Sequence, residues 1–519
     1  MLPPFRSEPY TDFTKPENQA AFRAALDKVR SELGRTYPLN IGSEEIMSDD
    51  MFPSINPSRP HEVLGYFANG TADHVDRAIQ VAAEAFETWK YVSAEDRARY
   101  LLRAAAALRR RKHEFSATMV LEVGKSWVEA DADTAEAIDF FEYYSRQMMR
   151  IADSSDLLVP YPPEQLMYRY IPLGVGAIIP PWNFPLAIPT GMASAAIVAG
   201  NTVVFKPAEQ SPWIGYKLCE LLWEIGLPEG VLNYLTGPGP AVGGRMVEHP
   251  QTRFIAFTGS KDVGVQIYEK AAKVQPGQKW LKRTILEMGG KDAVLVDETA
   301  SLEEAAQGIV ASAFGYQGQK CSAGSRAVIV DAVYDRVSSR VVELAKQLSV
   351  GNPEAGPEVY MGPVIDRDAM QKIMNYIEIG TQEGKLLLGG QPLETTDGGY
   401  FIPPTIFGDV PEDARIAQEE IFGPVLALIR ASNFDHALDI ANSTEYGLTG
   451  ALYSNDRSRL ERARREFHVG NLYLNRKCTG ALVGIHPFGG FNMSGTDSKG
   501  GGPDYLLLFS QGKSVAEKL

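Results

Sequence analysis

Between residues 174 and 286 the chain alternates regularly between short apolar runs and longer helix-like stretches. The apolar runs fall at 174–179, 202–205, 231–235, 254–257 and 283–286. Strands joined through a helix run parallel, because the crossover carries the chain back to the end from which it started. These runs are apolar at nearly every position and do not alternate, as strands covered by helices on both faces do. The pattern predicts a doubly wound α/β sheet, whose ligand crevice opens at the carboxyl ends of its strands.

A second α/β block begins after Gly290, with strands expected at 293–296, 327–330, 425–430 and 472–474. Ser301 and Glu304 have the spacing of a capping box for a helix between the first two. Upstream, Val75, Ile79, Ala82 and Phe86 recur near the helical period, and 100–108 repeats the theme, so a helical layer is expected from 71 to 150. Short strand-like runs at 157–159 and 166–170 flank a Pro-rich turn and read as a projecting hairpin, with the tail at 505–515 as a strand that pairs with it. With 519 residues, more than one core is expected.

Composition removes several classes of function. A net charge of −14 disfavours a nucleic-acid or anionic-membrane surface. Three cysteines without CxxC spacing fit neither a disulfide framework nor a structural zinc site, and point to a reducing compartment. The first residues carry no basic segment followed by an apolar run, so the cytoplasm is the expected location. The apolar stretch 171–198 is broken by five prolines and reads as a buried strand and helix. The seven histidines have no metal-ligand spacing, so no metal is expected.

Chemistry concentrates in a few segments. Cys321, in Gln317-Gly318-Gln319-Lys320-Cys321-Ser322, sits in a glycine-bearing loop beside Lys320, whose charge would favour the thiolate. Glu287 ends an expected strand before Gly289-Gly290, where its carboxylate would point into the crevice as a general base. Asn183, in Pro181-Trp182-Asn183-Phe184-Pro185, is held in a stiff turn and could donate to an oxyanion with the Cys321 N–H. Alone, each has a plainer reading: a buried thiol, a solvated carboxylate, a turn asparagine. Cys219 reads as helix packing, and Cys478 as a bystander open to oxidation.

In order and wording these segments resemble the aldehyde dehydrogenase superfamily over nearly the whole chain. The resemblance implies a Rossmann-type NAD-binding domain at 1–150 and 171–288. It further implies an α/β catalytic domain at 289–495 and a small β oligomerisation flap at 151–170 and 496–519. It implies a thiol nucleophile at Cys321 with Glu287 and Asn183 as catalytic partners. No GxGxxG follows the first strand. The family's variant instead places Lys206 and Glu209 at the adenosine ribose and Ser260 at the pyrophosphate. Glu420 then falls at the nicotinamide ribose and Phe422 on the ring, with Gly259, Gly264 and Trp182 also among the cofactor-binding residues. A carboxylate at Glu209 favours NAD over NADP.

Residues 475–484 and 486–491 resemble the branch of the family that oxidises L-glutamate γ-semialdehyde, the open form of pyrroline carboxylate. On that resemblance Ser322, Gly480 and Ala481 hold the α-carboxylate, and Phe184 and Phe488 enclose the aliphatic chain. Lys320 binds substrate, tunes Cys321 or is merely solvated. The same resemblance implies a homo-oligomer, dimeric or a trimer of dimers, supplied by a separate proline dehydrogenase. Succinate or aminoadipate semialdehyde is the near alternative. A CoA-acylating enzyme, which typically lacks the base, and a non-enzymatic protein that kept the fold are the more distant ones.

Overall fold

The computed structural model describes residues 3–152 and 154–519. Met1 and Leu2, within the expected segment 1–150, and Asp153, within 151–170, lie outside the described residues. The alternating region forms a seven-stranded sheet in the order Arg283–Glu287, Thr252–Thr258, Val175–Ile179, Thr202–Phe205, Leu232–Tyr234, Leu39–Ile41, Glu44–Ile46. The first five strands are parallel, and the last two join antiparallel at the edge. Buried helices such as Ala187–Val198 and Pro212–Glu224 pack on it, which accounts for strands that are apolar throughout.

The second block forms another seven-stranded sheet: Lys385–Leu388, Thr405–Gly408, Val425–Ala431, Arg326–Val330, Ala293–Val296, Thr449–Tyr453, Asn471–Leu474. All its neighbours are parallel except the first pair. The two sheets meet near Glu287. The loop after Phe491–Asn492 runs along the edge strand, with Thr496 N donating to Leu286 O and Met288 N to Ser494 O.

The expected helical layer is present as Ala72–Trp89, Ala94–Arg110, Lys112–Val123 and Trp127–Ile151. The side chains of Thr71, Ser93 and Ser126 accept from the first free amides of three of these helices. Ser301 stands at the N-cap of Leu302–Phe314 but makes no side-chain cap bond there, so the capping box does not form.

The hairpin expectation is corrected. Ser155–Leu157 is a single 3-10 turn, and Pro160, Pro162 and Pro163 offer no N–H for a ladder. The strand Glu164–Pro172 pairs antiparallel with Ser510–Lys518, from Ser510 opposite Pro172 to Lys518 opposite Glu164. Tyr505–Phe509 is likewise a 3-10 turn that buries Tyr505, Leu506 and Phe509, so the tail strand begins at Ser510. The helix Pro16–Arg30 and the small sheet of Arg35–Tyr37, Arg59–Ala68 and Met51–Asn56 add to the elements expected from the sequence. Among the described residues no helix is long and apolar enough to cross a membrane.

Candidate active site

Strand order creates the crevice. From Val175–Ile179 the chain moves outward through Thr202–Phe205 and Leu232–Tyr234, then returns to the opposite side at Thr252–Thr258. Loops leaving two neighbouring strands in opposite directions open a gap at their carboxyl ends. That gap is a cavity of about 570 Å³, lined by 179–183, 206–210 and 257–260 from the first sheet. Cys321, Glu420 and Phe422 close it from the second block. Asn183 and Cys321, remote in sequence, therefore share one wall.

The turn before Cys321 is held against its own preference. Tyr316 and Gln317 have φ of 48° and 57°, left-handed values that non-glycine residues adopt rarely. Both are fully buried. The Tyr316 hydroxyl donates to Val123 O at 2.8 Å, and Gln317 Nε2 to Pro363 O at 2.8 Å. Asn183 Nδ2 donates to Gln319 O at 3.0 Å, and the amide's second N–H remains for another acceptor.

The electrostatics at Cys321 correct the sequence reading. Lys320 does not serve the thiol: its ammonium lies 2.7 Å from Glu129, and the side chain is nearly buried. Burial, with Asp292, Glu287 and Glu420 nearby, pushes the Cys321 thiol well up.

Glu287 is gripped by the loop that crosses between the sheets. Its carboxylate accepts from Ser498 Oγ, from Ser498 N at 3.3 Å and from Gly490 N at 3.2 Å. Burial outweighs these bonds and pushes its pKa up to about 7, a value suited to a base at neutral pH.

On the flank formed by the first sheet, Lys206 is buried, with Nζ 3.2 Å from Pro207 O and 3.9 Å from Glu209. Burial lowers the Lys206 pKa. Glu209 is half exposed and accepts from Gly239 N at 2.8 Å. Ser260 caps the helix Lys261–Ala272, whose N-terminus faces the cavity next to Gly259. Gly264 lies one turn into that helix, where a Cβ would come within 2.4 Å of Met288 Sδ, so it allows the helix to approach the wall without lining it.

Glu420 accepts from Gly290 N at 3.0 Å, and a Cβ on Gly289 would meet its carboxylate at 2.3 Å, which accounts for a glycine there. Phe422 has φ of 61° and meets Trp182 edge to face at 5.5 Å.

The opposite flank holds residues that motif reading misses. Glu129, Asp133 and Glu136 lie at i, i+4 and i+7 on the helix Trp127–Ile151, an acidic stripe among buried apolar neighbours. That spacing is the available signal, since acids on a buried helix face need partners. Burial pushes the Glu136 carboxyl up to about 8. Lys477 and Glu129 act electrostatically on one another, and Lys320 Nζ lies 5.9 Å from the Phe184 ring centre.

Ser322 is tied to the 475–484 loop through its carbonyl oxygen, on which the buried Cys478 Sγ sits at 3.4 Å. Arg476 binds the carbonyl oxygens of Thr479 and Gly480, next to Ala481. Gly480 has φ of 80°. Phe488 is partly buried, and its N–H donates to Gly500 O. Cys219 is fully inside its helix packing. Among the described residues no group of His, Cys, Asp or Glu could hold a metal ion.

Comparison with known proteins gives a consistent result. Residues 45–515 match the model of the aldehyde dehydrogenase family. The chain is 61% identical to 1-pyrroline-5-carboxylate dehydrogenase of Geobacillus thermodenitrificans, over all of both chains. It superposes on 1-pyrroline-5-carboxylate dehydrogenase from Thermus with bound NAD at a TM-score of 0.97, with 53% identity and full coverage of both. It also matches proline utilization A from Bdellovibrio bacteriovorus at a TM-score of 0.97 and 47% identity, covering 99% of this chain and 53% of that one.

Proposed function

The chain belongs to the aldehyde dehydrogenase family, and we propose that it oxidises L-glutamate γ-semialdehyde, the open form of 1-pyrroline-5-carboxylate, to L-glutamate with NAD. The observation that carries this reading is the cavity that Cys321 and Asn183 line together with Lys206, Glu209 and Glu420 at a topological switch point.

The cavity's own chemistry fits a dinucleotide. Its volume suits a small ligand, Lys206 with Glu209 offers a donor and acceptor for a diol, and a helix N-terminus favours the pyrophosphate. Glu420 and Phe422 stand where they would hold the nicotinamide ribose and ring, with Trp182 beside them. Bound NAD supplies the two-electron acceptor for the hydride that leaves the aldehyde carbon.

The protein's residues do the rest. The Cys321 thiol gives its proton to water, the thiolate attacks the aldehyde carbon, and the carbonyl electron pair moves to oxygen. Asn183 Nδ2 and the Cys321 N–H donate to that oxyanion. After hydride loss the carbon is a thioester on Cys321. Glu287 removes a proton from water, the hydroxide adds, and the C–S bond breaks to release the acid and the thiolate. On the substrate flank, Ser322, Gly480 and Ala481 hold the α-carboxylate, Phe184 and Phe488 enclose the chain, and Lys320 acts through Glu129.

In this reading 1–150 with 171–288 is the NAD-binding part, 289–495 the catalytic part, and 151–170 with 496–519 the oligomerisation flap. The ribbon of Glu164–Pro172 and Ser510–Lys518 exposes Met167 and Val515, which suits pairing with a second copy in a homo-oligomer. A cytoplasmic enzyme fed by a separate proline dehydrogenase completes the proposal.

The test compares NADH formation from pyrroline-5-carboxylate, succinate semialdehyde and an aliphatic aldehyde, with wild type and Cys321→Ala. Preference for pyrroline-5-carboxylate that disappears in the variant supports the reading. Equal turnover of the other substrates moves the protein to another branch, and turnover without Cys321 removes the mechanism.

A further inference from the structure

Lys125 is a buried cation between the two turns that carry the chemistry. It follows Gly124, which ends the helix Lys112–Val123 at a φ of 65°. Its side chain has no exposure and its Nζ makes no hydrogen bond. Three groups surround the ammonium: the Phe184 ring at 4.1 Å, the Tyr316 ring at 4.2 Å, and the Asp133 carboxylate at 3.3 Å. Ring faces attract a desolvated cation, so both rings are drawn to one point.

Those rings belong to different blocks. Phe184 adjoins Asn183, and Tyr316 opens the strained turn that leads to Cys321. Asp133 fixes the far end of the first turn by accepting from Ala187 N at 2.7 Å. The backbone around Lys125 grips the second turn, since Val123 O accepts from Tyr316 and Gly124 O from Gln317. An apolar side chain would fill the space but leave Asp133 buried without its cation.

We propose that Lys125 is a positioning residue for the reaction, clamping the Asn183 turn and the Cys321 turn together so that oxyanion donor and nucleophile keep one separation. This rests on the roles given above to Asn183 and Cys321. A small displacement of reacting groups is enough to slow a reaction by about 100-fold.

The experiment measures hydrolysis of p-nitrophenyl acetate, which calls on nucleophile, oxyanion donor and base without NAD or semialdehyde, beside NADH formation from pyrroline-5-carboxylate. Lys125→Met should bind NAD as wild type does, lose about 100-fold in kcat in both reactions and change little in KM. Lys125→Arg, which keeps the cation, should recover part of that loss. A Lys125→Met enzyme that binds NAD and keeps both kcat values within about threefold of wild type overturns the proposal. So does an arginine variant no better than methionine.

If Lys125→Met does not fold, Phe184→Leu and Tyr316→Leu decide by their combination in ester hydrolysis. Acting through one clamp, the double variant loses about as much as the worse single variant, whereas losses that multiply overturn the proposal. Wild type that hydrolyses the ester through Cys321 but leaves the semialdehyde untouched sinks the substrate assignment alone, and the ester data still judge the clamp. Absence of Cys321-dependent ester hydrolysis overturns both.

Discussion

On the cofactor flank of Cys321 the charged groups are left open: Lys206 stands 3.9 Å from Glu209, and Glu420 is held by the amide of Gly290. On the substrate flank they are committed to each other, Lys125 with Asp133 at 3.3 Å and Lys320 with Glu129 at 2.7 Å. The difference follows from what each flank must do. In the proposed reading a dinucleotide brings many polar groups of its own, and Lys206, Glu209 and Glu420 keep bonding capacity beyond their present partners for it. In the proposed mechanism two loops carry the nucleophile and an oxyanion donor and must hold still before any ligand arrives, and paired buried charges do that because breaking one pair is costly. Cys321 sits where the two regimes meet.

With Cys321 left in place, removing the proposed base should have the largest effect. Glu287→Gln keeps the shape and most hydrogen bonds but cannot take a proton, so acyl-enzyme hydrolysis should fall by about 10³ to 10⁴-fold. A burst of NADH followed by a slow steady state in stopped-flow would record it. In wild type the hydrolytic step should rise with pH around about 7, following Glu287, and the variant should be flat. Stability carries the opposite sign. A carboxyl whose folded pKa is raised from 4.5 to about 7 stabilises the fold most below 4.5, and this is lost as pH rises through 7. Glu287→Gln should therefore melt higher than wild type at pH 8 by the equivalent of up to roughly 3 kcal/mol, and show no gain at pH 4.5.

Asn183→Ala tests the boundary between the flanks. It removes the proposed oxyanion donor and the bond to Gln319 O, so kcat should fall by about 10² to 10³-fold while NAD affinity measured by fluorescence stays near wild type. A large loss of NAD affinity would show that the flanks are not separable at this turn.

The cofactor flank is the more legible of the two in the sequence. Strands such as Val175–Ile179 and Thr202–Phe205 are apolar runs bounded by polar and turn residues, so their ends can be placed directly. Lys206 and Glu209 lie on the loop leaving one of those strands, and the cavity forms there as strand order requires. The substrate flank is opaque because its partners are far apart in the chain. Lys320 reads as a neighbour of Cys321, yet its carboxylate comes from a helix 191 positions earlier. The strand Glu164–Pro172 shows both outcomes: its ladder with the tail at Ser510–Lys518 agrees with the expected pairing, whereas the hairpin mate at 157–159 does not form. Local periodicity gives an element's type, while its mate depends on packing that no local window contains.

Glu129→Gln asks whether the closed pairs serve the substrate or only the fold. The change leaves Lys320 without its carboxylate near Phe184. KM for pyrroline-5-carboxylate should shift by about tenfold, the scale of one charge-assisted bond, with NAD affinity unchanged.

The smallest expected effect belongs to Glu209, because half of its side chain already faces water and screening weakens what it can contribute. Its carboxylate accepts from Gly239 N and would accept from a ribose hydroxyl while repelling a phosphate at the same position. Glu209→Ala should weaken NAD binding by no more than about tenfold, since one exposed hydrogen bond is lost. NADP, relieved of the repulsion, should gain, so the ratio of the two kcat/KM values narrows while kcat with NAD holds. A narrowing ratio with unchanged kcat is what an open flank predicts, since it positions a ligand and not the chemistry. If kcat fell with the affinity, Glu209 would be coupled to the turns around Cys321, and the division between an open flank and a closed one would end at the cavity wall.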